Sequence, residues 1–162
     1  KRASLVSNFK LYLRKTPEKY GFYGLEFVER GVKSIVPRAV WPEKPNLERL
    51  AMQRVYDYGV ASPRSPISAK PHFVTDSYLS GGIPGVYFFC LIYGIIASLA
   101  SRLAERWFGG YLVGTALIYT SFFQIMWKGS AFELFFPTVF WSFILMYAFF
   151  IISKYNGIVS RY

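Results

Sequence analysis

Three apolar segments without a single charged residue follow a polar stretch of the chain, and this order is its strongest constraint. The segments are residues 83–101, 111–127 and 134–152, and none contains Asp, Glu, Lys, Arg or His. At a helical rise of about 1.5 Å per residue, such lengths reach about 25 to 28 Å, close to the hydrocarbon thickness of a bilayer. The sequence therefore predicts an all-α, polytopic membrane helix bundle fragment with three transmembrane helices.

Aromatic and charged residues at the segment ends support this prediction and suggest an orientation. The rings of Trp107, Tyr111, Trp127 and Tyr155 flank the segments, where aromatic side chains settle at a membrane interface. The linker 102–110 and the tail from 153 carry four Lys and Arg residues, whereas the linker 128–133 carries one. The positive-inside rule then places residues 1–80 on the outer face as a loop region and leaves residues 81–162 as the membrane part.

The outward region is strongly basic. Fourteen of the nineteen Lys and Arg residues precede Ile83, together with seven acidic residues, so this part of the chain has a net charge of +7. No Gly-rich phosphate loop, zinc-type Cys spacing or recognition-helix pattern accompanies this charge, so we expect no nucleic acid partner. Anionic lipid headgroups or a phosphate-bearing substrate explain the charge better. The chain starts at Lys1 without a cleavable leader, so we expect the C-terminal part of a longer protein.

Within the outward region the pattern predicts two short helices and an irregular loop. Apolar residues recur at helical spacing over 20–36, which is typical of an amphipathic helix lying in the membrane interface and ending at Pro37. Asn46 is the expected N-cap of a second helix that ends at Gly59. The proline-rich loop after it carries Arg64 and Lys70 and is either a lid that covers substrate or a plain connector.

Two stretches of this region carry a resemblance to a known family. The run 36–45 reads Val-Pro-Arg-Ala-Val-Trp-Pro-Glu-Lys-Pro, and the stretch 75–86 joins an acidic residue and an aromatic residue to a Gly-containing helix start. Together they resemble the O-antigen polymerase (Wzy-like) and oligosaccharide repeat-unit polymerase families. The resemblance covers roughly residues 20–94 and the helix layout that follows.

The resemblance implies a multi-pass glycosyltransferase of the bacterial inner (cytoplasmic) membrane. Such an enzyme joins oligosaccharide repeat units, each carried on undecaprenyl diphosphate, into O-antigen of lipopolysaccharide or into exopolysaccharide at the outer face. The polyprenyl-diphosphate-linked donor supplies its own leaving group, so the resemblance implies no nucleotide, metal or other cofactor. It implies the lipid bilayer, a chain-length regulator and a flippase protein as partners.

Candidate site residues follow from the chemistry of displacing a lipid diphosphate. Negative charge builds on the leaving oxygen, and a guanidinium that grips phosphate in a bidentate way stabilises it. Arg38, fixed by the neighbouring prolines, is the first candidate for this role, and the alternative is that it only reaches toward lipid headgroups. An acceptor hydroxyl also needs a base, for which His72 and Asp76 are the candidates. The predicted substrate-binding residues are Trp41, Lys44, Arg64, Lys70 and Tyr78.

Two other functions remain open from the sequence. The first is a non-enzymatic flippase or transporter segment that binds anionic lipid, and the second is the related O-antigen ligase, which uses the same leaving group. A transporter should carry polar groups or broken helices near the midplane, yet Gln124 is the only strongly polar residue in the predicted spans. The sequence therefore favours the outward region as the working part.

Overall fold

The computed structural model describes residues 5–62 and 71–159, and within these ranges the chain is helical without a β-strand. Three short helices come first: α1 (Leu5–Lys15), α2 (Glu26–Lys33) and α3 (Leu47–Asp57). The long helices α4 (Phe73–Phe108) and α7 (Phe132–Tyr155) enclose a π-helix (Leu112–Tyr119) and the short pieces α5 (Thr120–Phe122) and α6 (Gln124–Trp127). The all-α prediction is therefore confirmed for the described residues.

Helix α4 is broken near its start, at the point where the first apolar segment was predicted to begin. Gly82 has φ 65° and ψ −150°, a conformation essentially restricted to glycine, and Pro84 cannot donate a backbone hydrogen bond. The break leaves the carbonyl of Leu79 without its usual helical partner, and the N–H of Tyr23 donates to it at 2.9 Å. The polar part of the chain is thus tied directly to the kink.

The middle apolar segment is not a single helix. Its first part forms an apolar helical stretch, Leu112–Phe122, of which the π-helix is the larger portion. The backbone then departs from helical angles at Phe123, with φ −101° and ψ 15°. The carbonyl of Phe122 accepts a hydrogen bond from Ser142 Oγ at 2.6 Å, so a neighbouring helix satisfies the group that the break exposes. The third span is not confirmed.

Two helices, Phe73–Phe108 and Phe132–Tyr155, are long and apolar enough to cross a membrane by length and composition. Their most apolar windows are only 11% and 22% buried within the chain, so they do not resemble core helices of a water-soluble domain. One face of α4 carries an apolar residue at every fourth position, and these residues are 50% to 75% exposed: Ile83, Tyr87, Leu91, Ile95 and Leu99. Lipid or further protein must cover this face, which supports association with a membrane.

The short helices pack on the starts of the two long ones. Gly31 of α2 lies against the ring of Phe136 on α7, and Trp141 Nε1 donates to the carbonyl of Ile35 at 3.0 Å. Asn46 caps α3 as predicted, because its side chain accepts from the N–H groups of Glu48 and Arg49. Helix α2 is shorter than the pattern over 20–36 indicated.

The break in α4 yields a direct test. We expect Gly82→Ala to destabilise the protein by about 1–3 kcal/mol, because alanine is strained at a positive φ and its Cβ would meet Phe22. Gly94→Ala in the same helix is the matched control, since a Cβ there meets nothing within 4 Å. Unfolding of the purified protein in detergent measures both variants, and equal stabilities would contradict this description of the kink.

Candidate functional site

A guanidinium group between two carboxylates lies at the centre of the described structure. Arg54 of α3 contacts Glu133 of α7 with both terminal nitrogens: Nη1 pairs with Oε1, and Nη2 lies 2.9 Å from Oε2. The same Nη2 lies 3.3 Å from the carboxylate of Asp76 in the first turn of α4. These three residues, the Arg54 cluster, join segments that are far apart in the sequence.

The Arg54 cluster is almost completely removed from solvent. The side chains of Arg54, Asp76 and Glu133 are 3%, 0% and 1% exposed. The ring of Phe27 covers the guanidinium, with Arg54 Cζ 4.3 Å from the ring centroid. Burial works to lower the pKa of Arg54, but Asp76 and Glu133 outweigh it and raise that pKa above its ordinary value. Arginine therefore keeps its charge here and holds the two acids together.

Tyr12 of α1 completes this buried surrounding. Its side chain is 2% exposed, and burial raises the pKa of its phenol well above the ordinary range, an effect that the nearby Asp76 increases. Among the described residues, three buried side-chain atoms make no hydrogen bond to the protein: Tyr12 Oη, Arg54 Nε and Asp76 Oδ1. All three belong to this one region, which lies within a core of aromatic and aliphatic side chains.

Asp76 also caps a second helix. Its Oδ2 accepts a hydrogen bond from the N–H of Phe132 at 3.0 Å, one of the amides that the start of α7 leaves unpaired. The start of α4 is in turn bonded to the segment before α7, because the N–H of Phe73 donates to the carbonyl of Gly129 at 2.7 Å. His72 and Ser130 pair in an isolated antiparallel β-bridge. The starts of α4 and α7 are therefore locked to each other by backbone and side chain alike.

A mostly apolar groove of about 500 Å³ opens beside these helix starts. Its apolar lining includes Phe9, Tyr93 and Trp127, and the chain's only cysteine, Cys90, also faces it. Polar groups enter from the two connections that precede the long helices, namely His72 before α4 and Lys128 before α7. The groove thus combines an apolar body with an imidazole and an ammonium group.

The predicted pair His72 and Asp76 is separated by the structure. His72 precedes α4 and lines the groove, whereas Asp76, one turn later, is fully buried in the Arg54 cluster. Asp76 uses one oxygen to cap α7 and faces Arg54 with both, which describes a structural role. That either residue acts as a base stays a prediction, and the geometry leaves His72 as the more accessible of the two.

The proline-rich turn holds the remaining described candidates. Arg38 is exposed, and Trp41 is half-buried. Lys44 Nζ donates to the carbonyls of Ser34 and Val36 at 2.6 and 2.8 Å, so it caps the end of α2. Burial, and then the positive charge of Arg38, lower the pKa of Lys44. These two cations therefore lie close enough to influence each other, while substrate binding by Arg38, Trp41 and Lys44 stays a prediction.

The other predicted substrate-binding residues give less information. Tyr78 is half-buried, its ring packs edge-on to Phe9 and Phe22, and its hydroxyl lies 3.4 Å from the carbonyl of Thr16. Arg64 and Lys70 lie outside the described residues, as does the loop that carries them. Within residues 5–62 and 71–159, no three metal-binding side chains come together.

Comparison with known proteins places the chain in a family without a described activity. The match covers residues 1–161. The chain belongs to the family described as Domain of unknown function (DUF8712). No curated protein and no solved structure matches it.

Sequence reasoning missed Arg54 and Glu133 in this family member, although a signal for Arg54 was present. On α3, the apolar residues Leu50, Ala51, Val55 and Tyr58 recur at helical spacing and mark one face. Arg54 lies on this face, three residues after Ala51 and four before Tyr58. A basic residue on a buried face requires a buried acid. Glu133 stands alone at the start of an apolar segment, but nothing in the sequence pairs it with Arg54.

The cluster leads to a stability prediction. We expect Arg54→Met to lower the free energy of unfolding by about 3–5 kcal/mol, because it leaves two buried carboxylates without their shared cation. Arg49→Met on the same helix is the matched control, since Arg49 is exposed and surface changes stay within about 0.5 kcal/mol. Denaturant unfolding in detergent compares the two, and similar losses would argue against a central role of the cluster.

Proposed function

We propose that this chain is part of a membrane glycosyltransferase that joins oligosaccharide units carried on a polyprenyl diphosphate. The observation that carries the proposal is the groove, because it unites an apolar body with His72 and Lys128 beside a membrane-compatible helix. A polyprenyl diphosphate has the same two-part chemistry, a long apolar chain attached to a strongly anionic group. The groove therefore fits the join between lipid and diphosphate.

In this proposal the apolar lining holds part of the isoprenoid chain. The lining includes Phe9 and Phe73 as well as Cys90 and Tyr93, the latter two on the candidate span α4. A lipid could therefore pass from the bilayer along α4 into the groove without crossing a polar surface. The diphosphate would then come to rest at the level of Lys128, which supplies a positive charge.

Three side chains then serve the chemistry of transfer. Cleavage of the bond between the sugar and the diphosphate leaves negative charge on the phosphate oxygen, which Lys128 at the groove stabilises as it develops. Arg38 does not line the groove, and its proposed part as the guanidinium partner of the phosphate rests on the sequence resemblance. The acceptor hydroxyl forms the new glycosidic bond and gives its proton to a base, for which His72 is best placed because it reaches the groove. Asp76 has a structural role in this proposal, because it accepts a hydrogen bond from the N–H of Phe132 at the start of α7.

The arrangement in the membrane is part of the proposal. Residues 83–101, the middle segment and residues 134–152 cross the inner membrane, and α1 to α3 lie at its outer face with the basic turn at headgroup depth. The uneven Lys and Arg content of the linkers supports this orientation. The middle crossing combines the Leu112–Phe122 helix with the turn at Phe123 and α6.

A second candidate function is a flippase or transporter segment for lipid-linked substrates. It is favoured by the breaks in α4 at Gly81 and Gly82 and in the middle segment at Phe123, because transporters bind substrate at interrupted helices. The related ligase would use the same groove and leaving group and differ only in its acceptor. Product analysis separates all three: polymer, transfer to a lipid core, or movement across the membrane without a new glycosidic bond.

The first test of the proposal is at Arg38. We expect Arg38→Ala to abolish polymer formation while protein level and membrane insertion persist, because the phosphate loses its guanidinium partner. Polymer length is read by gel electrophoresis of surface glycan from cells that depend on the variant. Arg49→Ala, another exposed arginine, should leave polymer unchanged, and wild-type polymer from Arg38→Ala would remove Arg38 from the mechanism.

The second test is at His72 and distinguishes catalysis from transport. We expect His72→Ala to reduce the rate of polymer formation about 100-fold or more, the range of general base catalysis, with binding of the lipid-linked substrate retained. Purified full-length protein in proteoliposomes with a lipid-diphosphate oligosaccharide gives both quantities. Substrate movement across the bilayer without polymer in the wild type would support the transporter instead.

A further inference from the structure

We propose that Arg54 is a positioning residue that sets how far apart His72 and Lys128 stand at the mouth of the groove. The inference rests on the function proposed above, because it concerns the same groove. Arg54 does not touch substrate in this account, since it is 3% exposed and does not line the groove. Its influence passes through the two helix starts.

The first step is that Arg54 holds a residue close to each groove group. Asp76 follows His72 by four residues in the first turn of α4, and Glu133 follows Lys128 by five residues in the first turn of α7. The guanidinium contacts both carboxylates through Nη2, which lies 3.3 Å from Asp76 Oδ2 and 2.9 Å from Glu133 Oε2, and Nη1 pairs with Glu133 as well. The spacing of the two acids is therefore fixed by the planar fork of one side chain.

The second step is that the connections carrying His72 and Lys128 follow the helix starts closely. Phe73 N–H donates to the carbonyl of Gly129, and His72 pairs with Ser130. These bonds join the two connections to each other, so they act together with the contacts of Arg54 to hold the start of α4 against the start of α7. A change in the distance between Asp76 and Glu133 therefore strains these bonds and changes the opening between His72 and Lys128.

The third step is the charge balance. Without the guanidinium, two carboxylates would face each other in a region that excludes water, and like charges at short range repel strongly there. The start of α7 would move away from α4, or a carboxyl would take up a proton and lose its tie to the neighbouring residues. Either change alters the groove without removing any of its lining residues.

The experiment compares two conservative variants in the full-length protein. Arg54→Lys keeps the positive charge but replaces the two terminal nitrogens by one, so it loses the paired contact of Nη1 and Nη2 to Glu133. Asp76→Asn keeps an oxygen that can cap Phe132 and keeps the Arg54 pair with Glu133. If the Arg54→Lys protein does not insert into the membrane, Asp76→Asn is compared with the wild-type protein instead.

Two chain residues make the groove directly measurable. Cys90 on α4 and Trp127 at the end of α6 both line the groove, and Cys90 is the only cysteine of this chain. A bimane fluorophore attached to Cys90 is quenched by a nearby tryptophan, and Trp127→Phe defines the share due to Trp127. This signal depends on the distance across the groove and needs no enzymatic activity.

We expect Arg54→Lys to lose at least half of the Trp127-dependent quenching. Its kcat for polymer formation should fall about 100-fold, the cost of a misplacement of about 1 Å, while KM for the lipid-linked substrate stays within about threefold. Asp76→Asn should show smaller changes of both signals in the same direction. Such paired changes support a positioning role.

Other outcomes overturn the inference or the proposed function separately. Unchanged quenching with a large loss of kcat would overturn positioning, because Arg54 would then act in some other way. Unchanged quenching with unchanged kcat would overturn it as well. Altered quenching in Arg54→Lys, with no polymer from the wild-type protein under any condition, would leave Arg54 in control of the groove and would reject the proposed glycosyltransferase.

Discussion

One buried guanidinium connects the parts of this protein that the sequence keeps apart. Arg54 belongs to the polar region, Asp76 to the start of one candidate span and Glu133 to the start of another, and their side chains meet away from water. A charge in such a place is tolerated only when it is paired and hydrogen-bonded. The position of α3 relative to both long helices is therefore set by a requirement that few other arrangements satisfy.

The cluster contributes specificity more than net stability. Buried ion pairs gain little over well-packed apolar groups, because desolvation offsets their attraction. Here the aromatic core around Phe73, Phe132 and Phe135 already supplies apolar burial, which is non-directional and does not by itself fix one register of the helices. The N–H of Phe132 donates to Asp76, and the guanidinium of Arg54 contacts the same carboxylate. These directional contacts select one position of α7 relative to α4.

The sequence predicted the elements of the fold better than their associations. Apolar runs located two long helices, and Asn46 located the start of α3. The Gly81 to Pro84 stretch was predicted to be a helix start, whereas the structure has a break within α4 there. The break at Phe123 could not be predicted, because its exposed carbonyl is satisfied by Ser142, a contact that arises only after the helices pack. Arg54 was missed for a similar reason, since a sequence shows the face of a helix but not the acid that will meet it.

The site shows why residue spacing alone is a weak guide to chemistry. His72 and Asp76 are one helical turn apart, and the sequence offered them as equivalent bases. Their surroundings give them different tasks, because the oxygens of Asp76 already face a guanidinium and a helix amide, while the imidazole of His72 lines an apolar groove. A carboxylate that is fully buried and already faces two donors is out of reach of a substrate hydroxyl. Asp76 therefore has a structural place beside the groove, and His72 is the accessible candidate of the predicted pair.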